Sequence, residues 1–476
     1  MRLFNIFKQD LSAQEVAEVR REVLAIALPA MGENALQMVL GLVDTAFLGY
    51  LNWQAMAAAG LANQVFFIFQ AFLVAIATGS SVLVANAVGA KNQNAIRSAT
   101  WNAIYLALIL GLVITCFSLI SSGLVFLGGA GASAEVRGMA ASYLQINLLG
   151  GVVLSLMFVL SALLRGSGDT RSPLYASILA NSLNALLDYI LIFGKMGMPK
   201  MGIEGAALAT VISRAVGLVI LGVILFRSPR FQLRVKENRR FSSKRTKEIL
   251  RVGLPTSMEN FFFSLGMLVF ANILLIAGDQ AYAAHRVGIN IESISFMPGF
   301  GVSVALTALA GQYNGRDDLR MVRGIVKQGW IIACAFMVCA GIFISLFPEF
   351  LIRIFTADKD IIDMAAVPVR IIGLVQFFLA TDSAITGSLR GVGETKLPFF
   401  ISLTAVWGLR LPIGFILVKF FNLGLLGAWI GMMTDFITRS ILKLTVYASG
   451  RWIKTAEKTR RAVGIEKERR LTDQTT

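Results

Sequence analysis

Runs of about 20 mostly apolar residues recur along the whole chain, separated by short stretches rich in charge, Gly or Pro. Each run is long enough to cross a hydrocarbon core of ~30 Å as a helix. Twelve are read, at about 23–49, 59–88, 98–121, 137–162, 172–194, 203–226, 249–275, 283–312, 322–346, 362–388, 397–419 and 424–449. The pattern predicts an all-α integral membrane protein. Composition agrees: 56% of the residues are hydrophobic and only 15% charged, too little polar surface for a soluble chain of 476 residues.

Charge adds orientation. A formal net charge of +16 raises the question of nucleic acid, but the Lys and Arg residues concentrate in the two tails and the even-numbered loops. That asymmetry is the positive-inside rule and places both termini in the cytoplasm. The densest block, "RSPRFQLRVKENRRFSSKRTK" (227–247), holds nine basic residues and one acidic. It reads as a topology anchor beside anionic membrane lipid, with no nucleic-acid partner expected. The first 22 residues show no short apolar core with a cleavage site, so the first span itself is the expected insertion signal. Cys116, Cys334 and Cys339 fall inside spans without metal-ligand spacing, and packing is their expected role.

The basic block also divides two copies of one pattern. "REVLAIALPAMGEN" (21–34) returns as "KEILRVGLPTSMEN" (247–260), and "VLVANAVGAKNQNAIRSA" (82–99) as "ALTALAGQYNGRDDLRMV" (305–322). "LRGSGDTRSP" (164–173) returns as "LRGVGETKLP" (389–398), and "GIEGAALAT" (202–210) as "GLLGAWIGM" (424–432). Four matches in one order mean an internal duplication. Six spans per copy keep both copies in the same orientation, as parallel repeats. The expected layout is a cytoplasmic segment at 1–22, an N-lobe at 23–226, a basic linker at 227–248, a C-lobe at 249–449 and a basic tail at 450–476. Two such bundles create a cleft that rocking can open to alternate sides, which points to a transporter.

Carboxylates within spans cost roughly 2.5–3.5 kcal/mol each and are functional candidates. They are Glu33, Asp44, Asp188, Glu204, Glu259, Glu292, Asp382 and Asp435. In an apolar setting such groups bind and release a proton near neutral pH, and ionised they are hard ligands for small cations. Asn184 and Asp188, four apart, share a helix face; they suit a bound cation or proton, or else a hydrogen bond that fixes packing. Asp44 lies mid-span and needs a partner from another helix. Glu33 and Glu259 follow Pro29 and Pro255 at equivalent positions. Glu33 suits capping or packing as well as transport, whereas Glu259 precedes Phe261, Phe262 and Phe263, which suit an organic cation unless they face lipid or core. Glu204 opens a helix, where the dipole favours an anion. Asp435 and Arg439 are spaced as an i,i+4 ion pair, and His285 reads as structural or interfacial.

Enzymatic readings find little support. "RGSGDT" contains the G-x-G-D pattern of intramembrane aspartyl proteases, but it lies in a predicted cytoplasmic turn and its copy carries Glu394 instead. There is no Walker A loop and no H-E-x-x-H.

With "ALPAMGENALQMVLGLVDTAFLGYL", the doubled "LRGxG(D/E)T", "LLDYILIFG" and "GIEGAALAT", residues 20–450 resemble the multidrug and toxic compound extrusion (MATE) family. The resemblance implies two pseudo-symmetric six-helix bundles, alternating access, and antiport of organic cations and drugs against H+ or Na+, with no other cofactor. It implies an N-lobe coupling site, for a proton or Na+, at Asp44, Asn184, Asp188 and Thr210. It also implies a second set at Glu259 and a helix-10 Asp. Asp382 stands about one turn nearer the "LRG" turn than that Asp would. Substrate binding or secondary coupling is expected at Glu259, Phe262, Glu292, Phe296 and Asp382, with the cation between the lobes. A monomer in the plasma or inner membrane is expected.

Two rivals remain. A lipid-linked oligosaccharide or peptidoglycan-precursor flippase of the same superfamily would line its cleft with basic residues, whereas Arg214, Arg286, Arg370 and Arg410 read as scattered near span ends. A membrane-embedded enzyme or sensor would need a catalytic constellation or a soluble domain, and neither is seen.

Overall fold

A computed structural model describes residues 11–128, 132–233 and 240–464. The outermost parts of both expected tails (1–10 and 465–476) and the middle of the basic linker (234–239) lie outside the described residues. Among the described residues every regular element is a helix. In chain order they are α1 (Ala13–Leu51), α2 (Trp53–Gly89), α3 (Gln93–Cys116), α4 (Ser121–Gly128), α5 (Ala134–Leu149), α6 (Gly151–Gly166), α7 (Arg171–Phe193), α8 (Ile203–Arg227) and α9 (Ser243–Ile276). The second half continues with α10 (Asp279–Gly315), α11 (Leu319–Leu346), α12 (Pro348–Arg353), α13 (Lys359–Leu374), α14 (Gln376–Gly391), α15 (Lys396–Ala405), α16 (Leu411–Lys419), α17 (Gly424–Ala448) and α18 (Trp452–Ala462).

Among the described residues nine helices are long and apolar enough to cross a membrane, and eleven when each of two bent pairs is taken as one span. The twelfth expected span, α17, has 25 residues but is less apolar, because Asp435, Arg439 and Lys443 lie along it.

Spans expected to be single helices prove interrupted at matching places in the two repeats. The span at 137–162 is broken into α5 and α6 with a 57° bend, and that at 362–388 into α13 and α14 with a 50° bend. Glycines let a neighbour approach at each break. A Cβ on Gly151 would press on Gly111 and Ile114 of α3, and a Cβ on Gly373 would overlap Gly341 and Ser345 of α11. Close backbone contact of this kind is how helices associate where lipid supplies no hydrophobic drive. The span at 397–419 carries a π-helical turn, Val406–Arg410, just before Pro412. Proline lacks an N–H and its ring displaces the carbonyl four residues back, which accounts for the wide turn.

Packing divides the chain inside two helices rather than in loops. One compact unit comprises Met1–Met31 with Met258–Thr476, the other Gly32–Ser257. The first residues of α1 therefore pack with the C-terminal repeat, and the first residues of α9 with the N-terminal repeat. Each crossing uses one glycine. A Cβ on Gly253 would overlap the Ala75 carbonyl, and one on Gly301 would overlap Met31 and press on the Ala27 carbonyl. Ala27 and Gly253 are equivalent in the duplication, as are Ala75 and Gly301, so the two crossings share a geometry with the glycine on opposite helices.

Cys116 and Cys339 are exposed, contrary to the expected packing role, and Cys334 is half-buried. On helices this apolar, an exposed thiol faces the surrounding lipid without loss.

Candidate functional site

In the unit Gly32–Ser257, Asp44 on α1 meets Asn184 and Asp188 on α7 and Thr210 on α8. The i,i+4 spacing turns Asn184 and Asp188 to one side of α7, and both are buried, at 2% and 1% exposure. With its amide turned so that the nitrogen faces the carboxylate, Asn184 donates to Asp44 Oδ1 at 3.3 Å. Its oxygen then accepts from the Thr210 backbone N–H, also at 3.3 Å. The Thr210 hydroxyl donates to the Ala206 carbonyl of its own helix at 2.9 Å. The Asp44 and Asp188 carboxyl groups lie within electrostatic reach of each other and of Tyr143 of α5, and both Asp188 oxygens are buried without a hydrogen-bond partner among the described residues. Two carboxylates so close repel unless a proton or cation stands between them. Among the described residues no group of three His, Cys, Asp or Glu side chains could hold a metal ion. The N-lobe set offers the oxygens of two carboxyls, which suit a proton or an alkali cation rather than a transition metal.

The doubled Glu of the sequence has a doubled partner. Glu33 accepts from Arg165 at 2.9 and 3.1 Å and from Ser161 at 3.3 Å. Glu259 accepts from Arg390 at 2.8 Å and from Ser402 at 2.7 Å. Arg165 and Arg390 are the arginines of the two "LRG" motifs, so each repeat ties its early Pro-containing helix to the end of its fourth span. The following turns match as well. Gly168 and Gly393 both have φ of 88°, a conformation glycine adopts without strain. Asp169 accepts from the Ser172 N–H at 3.0 Å, and Glu394 from the Lys396 and Leu397 N–H groups at 3.2 and 3.1 Å. These acids cap the helices that follow, which answers the protease-like pattern.

Around Glu259 the C-terminal repeat is filled with buried charge. Lys443 lies 2.9 Å from Asp382 and 3.8 Å from Glu259, and donates to Thr386 at 2.9 Å. Arg439 lies 3.5 Å from Asp382 and 4.0 Å from Asp435. The spaced Asp435–Arg439 pair is thus present, but the nearer partner of Asp435 is Arg410, at 2.9 Å. Arg410 is 1% exposed and packed among the rings of Phe263, Phe270 and Phe436. Glu292, also buried, lies in the field of Arg410, Arg439 and Asp435. Four acids (Glu259, Glu292, Asp382, Asp435) thus face four bases (Arg390, Arg410, Arg439, Lys443).

Arg410 and Arg214 do not lie near span ends as expected. Arg410 sits in the π turn, and Arg214 midway along α8. Both are held in mid-span by counter-charge and rings, which an apolar count along the chain does not register. Arg286 and Arg370 are exposed.

The remaining candidates are dispersed. Phe262 meets Phe261 edge-on and Phe399 at a tilt, and its carbonyl accepts from the Trp407 indole at 3.1 Å. Glu259, Phe262, Phe263, Ser402 and Trp407 help line a recess of ≈ 180 Å³. Phe296 is 37% exposed. Glu204 is exposed in the first turn of α8, as its helix-start reading expected. His285 is buried, accepting from Trp429 at 3.1 Å with its ring against Phe270 and Trp429.

The MatE family model matches the chain twice, over residues 29–190 and 255–416. The chain belongs to the MatE family. The two matched segments are the two repeats, each covering most of one six-span half. A "Probable multidrug resistance protein NorM" of Thermotoga maritima is 51% identical over 461 residues, 97% of this chain and 99% of that protein. A "Probable multidrug resistance protein YoeA" of Bacillus subtilis is 28% identical over 92% of this chain and 95% of its own length. Among solved structures, an outward-facing multidrug resistance MATE family transporter of the MOP superfamily aligns with a TM-score of 0.84 at 24% identity, covering 94% of this chain and 99% of that one. A MOP superfamily transporter from Pyrococcus furiosus, described as having a binding pocket of reversed polarity, aligns at 0.83 and 23% identity, covering 94% and 99%. Those two likenesses establish the fold. The protein is a multi-pass membrane transporter of the MATE family and not an enzyme.

Proposed function

We propose that this MATE transporter is a cation-coupled antiporter exporting organic, mainly cationic amphipathic, drugs by alternating access, working as a monomer in the cell membrane with both termini cytoplasmic. The observation that carries the coupling is the convergence of Asp44, Asn184, Asp188 and Thr210 within one packing unit. Each is costly alone in an apolar bundle, and together they make a site whose repulsion a proton or Na+ relieves. Relief lets the part of α1 that holds Asp44 repack, linking ion occupancy to substrate release. The names of the relatives support the drug substrates, and the clustered oxygens support the small coupling ion.

The flippase alternative gains buried bases in the C-terminal repeat, but an equal number of acids answers them, so no net positive lining favours a pyrophosphate. A cation-binding role for Glu259 requires the substrate to displace Arg390 or Lys443. The test is Asp44→Asn and Asp188→Asn in proteoliposomes, with drug flux and ion flux measured separately. Both fluxes should collapse while the protein stays folded and keeps drug binding. Coupled transport at wild-type rates in either variant removes the N-lobe assignment.

A further inference from the structure

We propose that Lys443 is a tethered competitor of the transported cation, and that its ammonium, seated between Asp382 and Glu259, weakens the hold of Glu259 on a cation in the adjoining recess. This deepens the cation-export reading above and rests on it.

The two repeats show that the fold does not need this lysine. Counted back from the doubled "LRG" motif, Asp382 and Thr386 stand where the N-terminal repeat has Met157 and Ser161. Counted on from "GLLGAWIGM" and its copy "GIEGAALAT", Arg439 and Lys443 stand where it has Gly217 and Leu221. The helix crossing itself is shared. A Cβ on Gly217 would press on Met157 of α6, and Arg439 lies 3.5 Å from Asp382 of α14. Where the N-terminal repeat closes this crossing with Met157 and a buried Leu221, the C-terminal repeat places a carboxylate and two bases. Exchanging apolar side chains for a buried ion pair brings little stability or costs some. The pair has another use.

The distances point to that use. Lys443 is 1% exposed, donates to Thr386 at 2.9 Å and lies 2.9 Å from Asp382. Glu259 Oε1 stands farther off, at 3.8 Å, beyond hydrogen-bond length, so Lys443 acts on it by charge alone. That same oxygen accepts from Ser402 at 2.7 Å, and Ser402 lines the recess of ≈ 180 Å³ together with Glu259, Phe262, Phe263 and Trp407. The recess thus offers one carboxylate among aromatic side chains, a chemistry suited to an organic cation. A cation arriving there meets a carboxylate already faced by Lys443 and by Arg390 at 2.8 Å. Lys443 can yield toward Asp382 and Thr386 while keeping both, because its charge sits on a flexible four-carbon stem. Its return toward Glu259 favours release, which an exporter needs as much as capture.

Ethidium binding to the purified full chain in detergent, read by fluorescence polarisation, tests the assignment through its sign. Loss of a merely structural ion pair weakens binding, whereas loss of a competitor tightens it. Lys443→Met should bind ethidium about tenfold more tightly than wild type, more than one unit charge exerts at about 4 Å in bulk water and less than at a protein surface. Lys443→Arg, which keeps the charge, should lose most of that gain. Lys443→Met removes the nearer partner of Asp382, so a second variant combines it with Asp382→Asn; this too should bind more tightly than wild type. Where Lys443→Met alone fails to fold, the double variant decides. Unchanged or weaker binding in either of the two overturns the inference and leaves Lys443 as a structural partner of Asp382. Glu259→Gln should weaken ethidium binding with Lys443 in place. Unchanged binding there removes the cation site at Glu259 itself, so the two failures are distinguishable.

Discussion

Replacing Glu33 by Gln should weaken the fold while sparing transport. The carboxylate is 6% exposed and its partner Arg165 22% exposed, with Arg165 Nη1 spanning both carboxylate oxygens. Removing one member of a buried pair costs about 3–5 kcal/mol, because the other charge is left uncompensated. Arg165 keeps enough exposure for water to reach it, and its 2.6 Å bond to Ser161 remains. The cost should therefore fall to about 2 kcal/mol. Removing both charges, as Glu33→Gln with Arg165→Met, eliminates the stranded cation and should recover about half of that.

For a packing unit the size of Gly32–Ser257, about 2 °C of melting temperature corresponds to 1 kcal/mol. The single variant should thus melt about 4 °C below wild type and the double variant about 2 °C below. Thermal unfolding of detergent-solubilised protein reads these values, and the cycle isolates the pairwise coupling. Drug flux in proteoliposomes, measured well below the midpoint, should stay near the wild-type rate. An unchanged melting temperature refutes the structural role. A normal melting temperature with abolished flux refutes it differently, by making Glu33 a coupling group.

Glu259→Gln should lower the melting temperature more than Glu33→Gln, since it strands Arg390 and takes from Lys443 one of its two acids; an equal or smaller drop in the same assay denies Lys443 its share. Lys443→Met should likewise destabilise the protein by about 3 kcal/mol, and adding Asp382→Asn should restore part of it; a double variant worse than the single would break the pairing. Gly253→Ala should destabilise by about 1–3 kcal/mol through overlap with Ala75, whereas Gly408→Ala, with open space around it, should not; equal melting points for the two would deny the tight helix crossing. A single cysteine at position 240 should label from the cytoplasmic side, and exclusive labelling from outside would invert the topology.

Most of the architecture was legible because its signals are linear. Apolar run length gave the spans, and short motifs recurring in order gave the duplication. The bends at Gly150 and Val375 were not legible, since a hydropathy window averages across a break of one residue. The π turn before Pro412 was missed for the same reason. In the candidate site, Asn184 and Asp188 were legible from their spacing, whereas the company of Asp44 came from the family resemblance and its contacts from tertiary packing. The pairing of Glu33 with Arg165 and Glu259 with Arg390 had a signal that went unused: both motifs are doubled at nearly equal separation, 132 and 131 residues. Asp435, Arg439 and Lys443, spaced by four, likewise mark one charged stripe along α17. A search confined to acids in spans finds the first and passes over the last.

The duplication explains why the two halves hold charge so differently while keeping the same skeleton. Both repeats need the Glu–Arg tie and the capped glycine turn, since these fix the early Pro-containing helix to the end of the fourth span, and both repeats retain them. Beyond that frame each half was free to diverge. In the C-terminal repeat Glu259, Asp382 and Asp435 each lie against a base, so an ion arriving at any of them must break an existing pair before it gains one. In the N-terminal repeat Asp44 is held by Asn184, and Asp188 lies buried nearby without an ion pair among the described residues. The coupling proposed for the N-terminal repeat thus falls in the half with fewer ion pairs, and the Asp44→Asn and Asp188→Asn fluxes decide whether that half carries it.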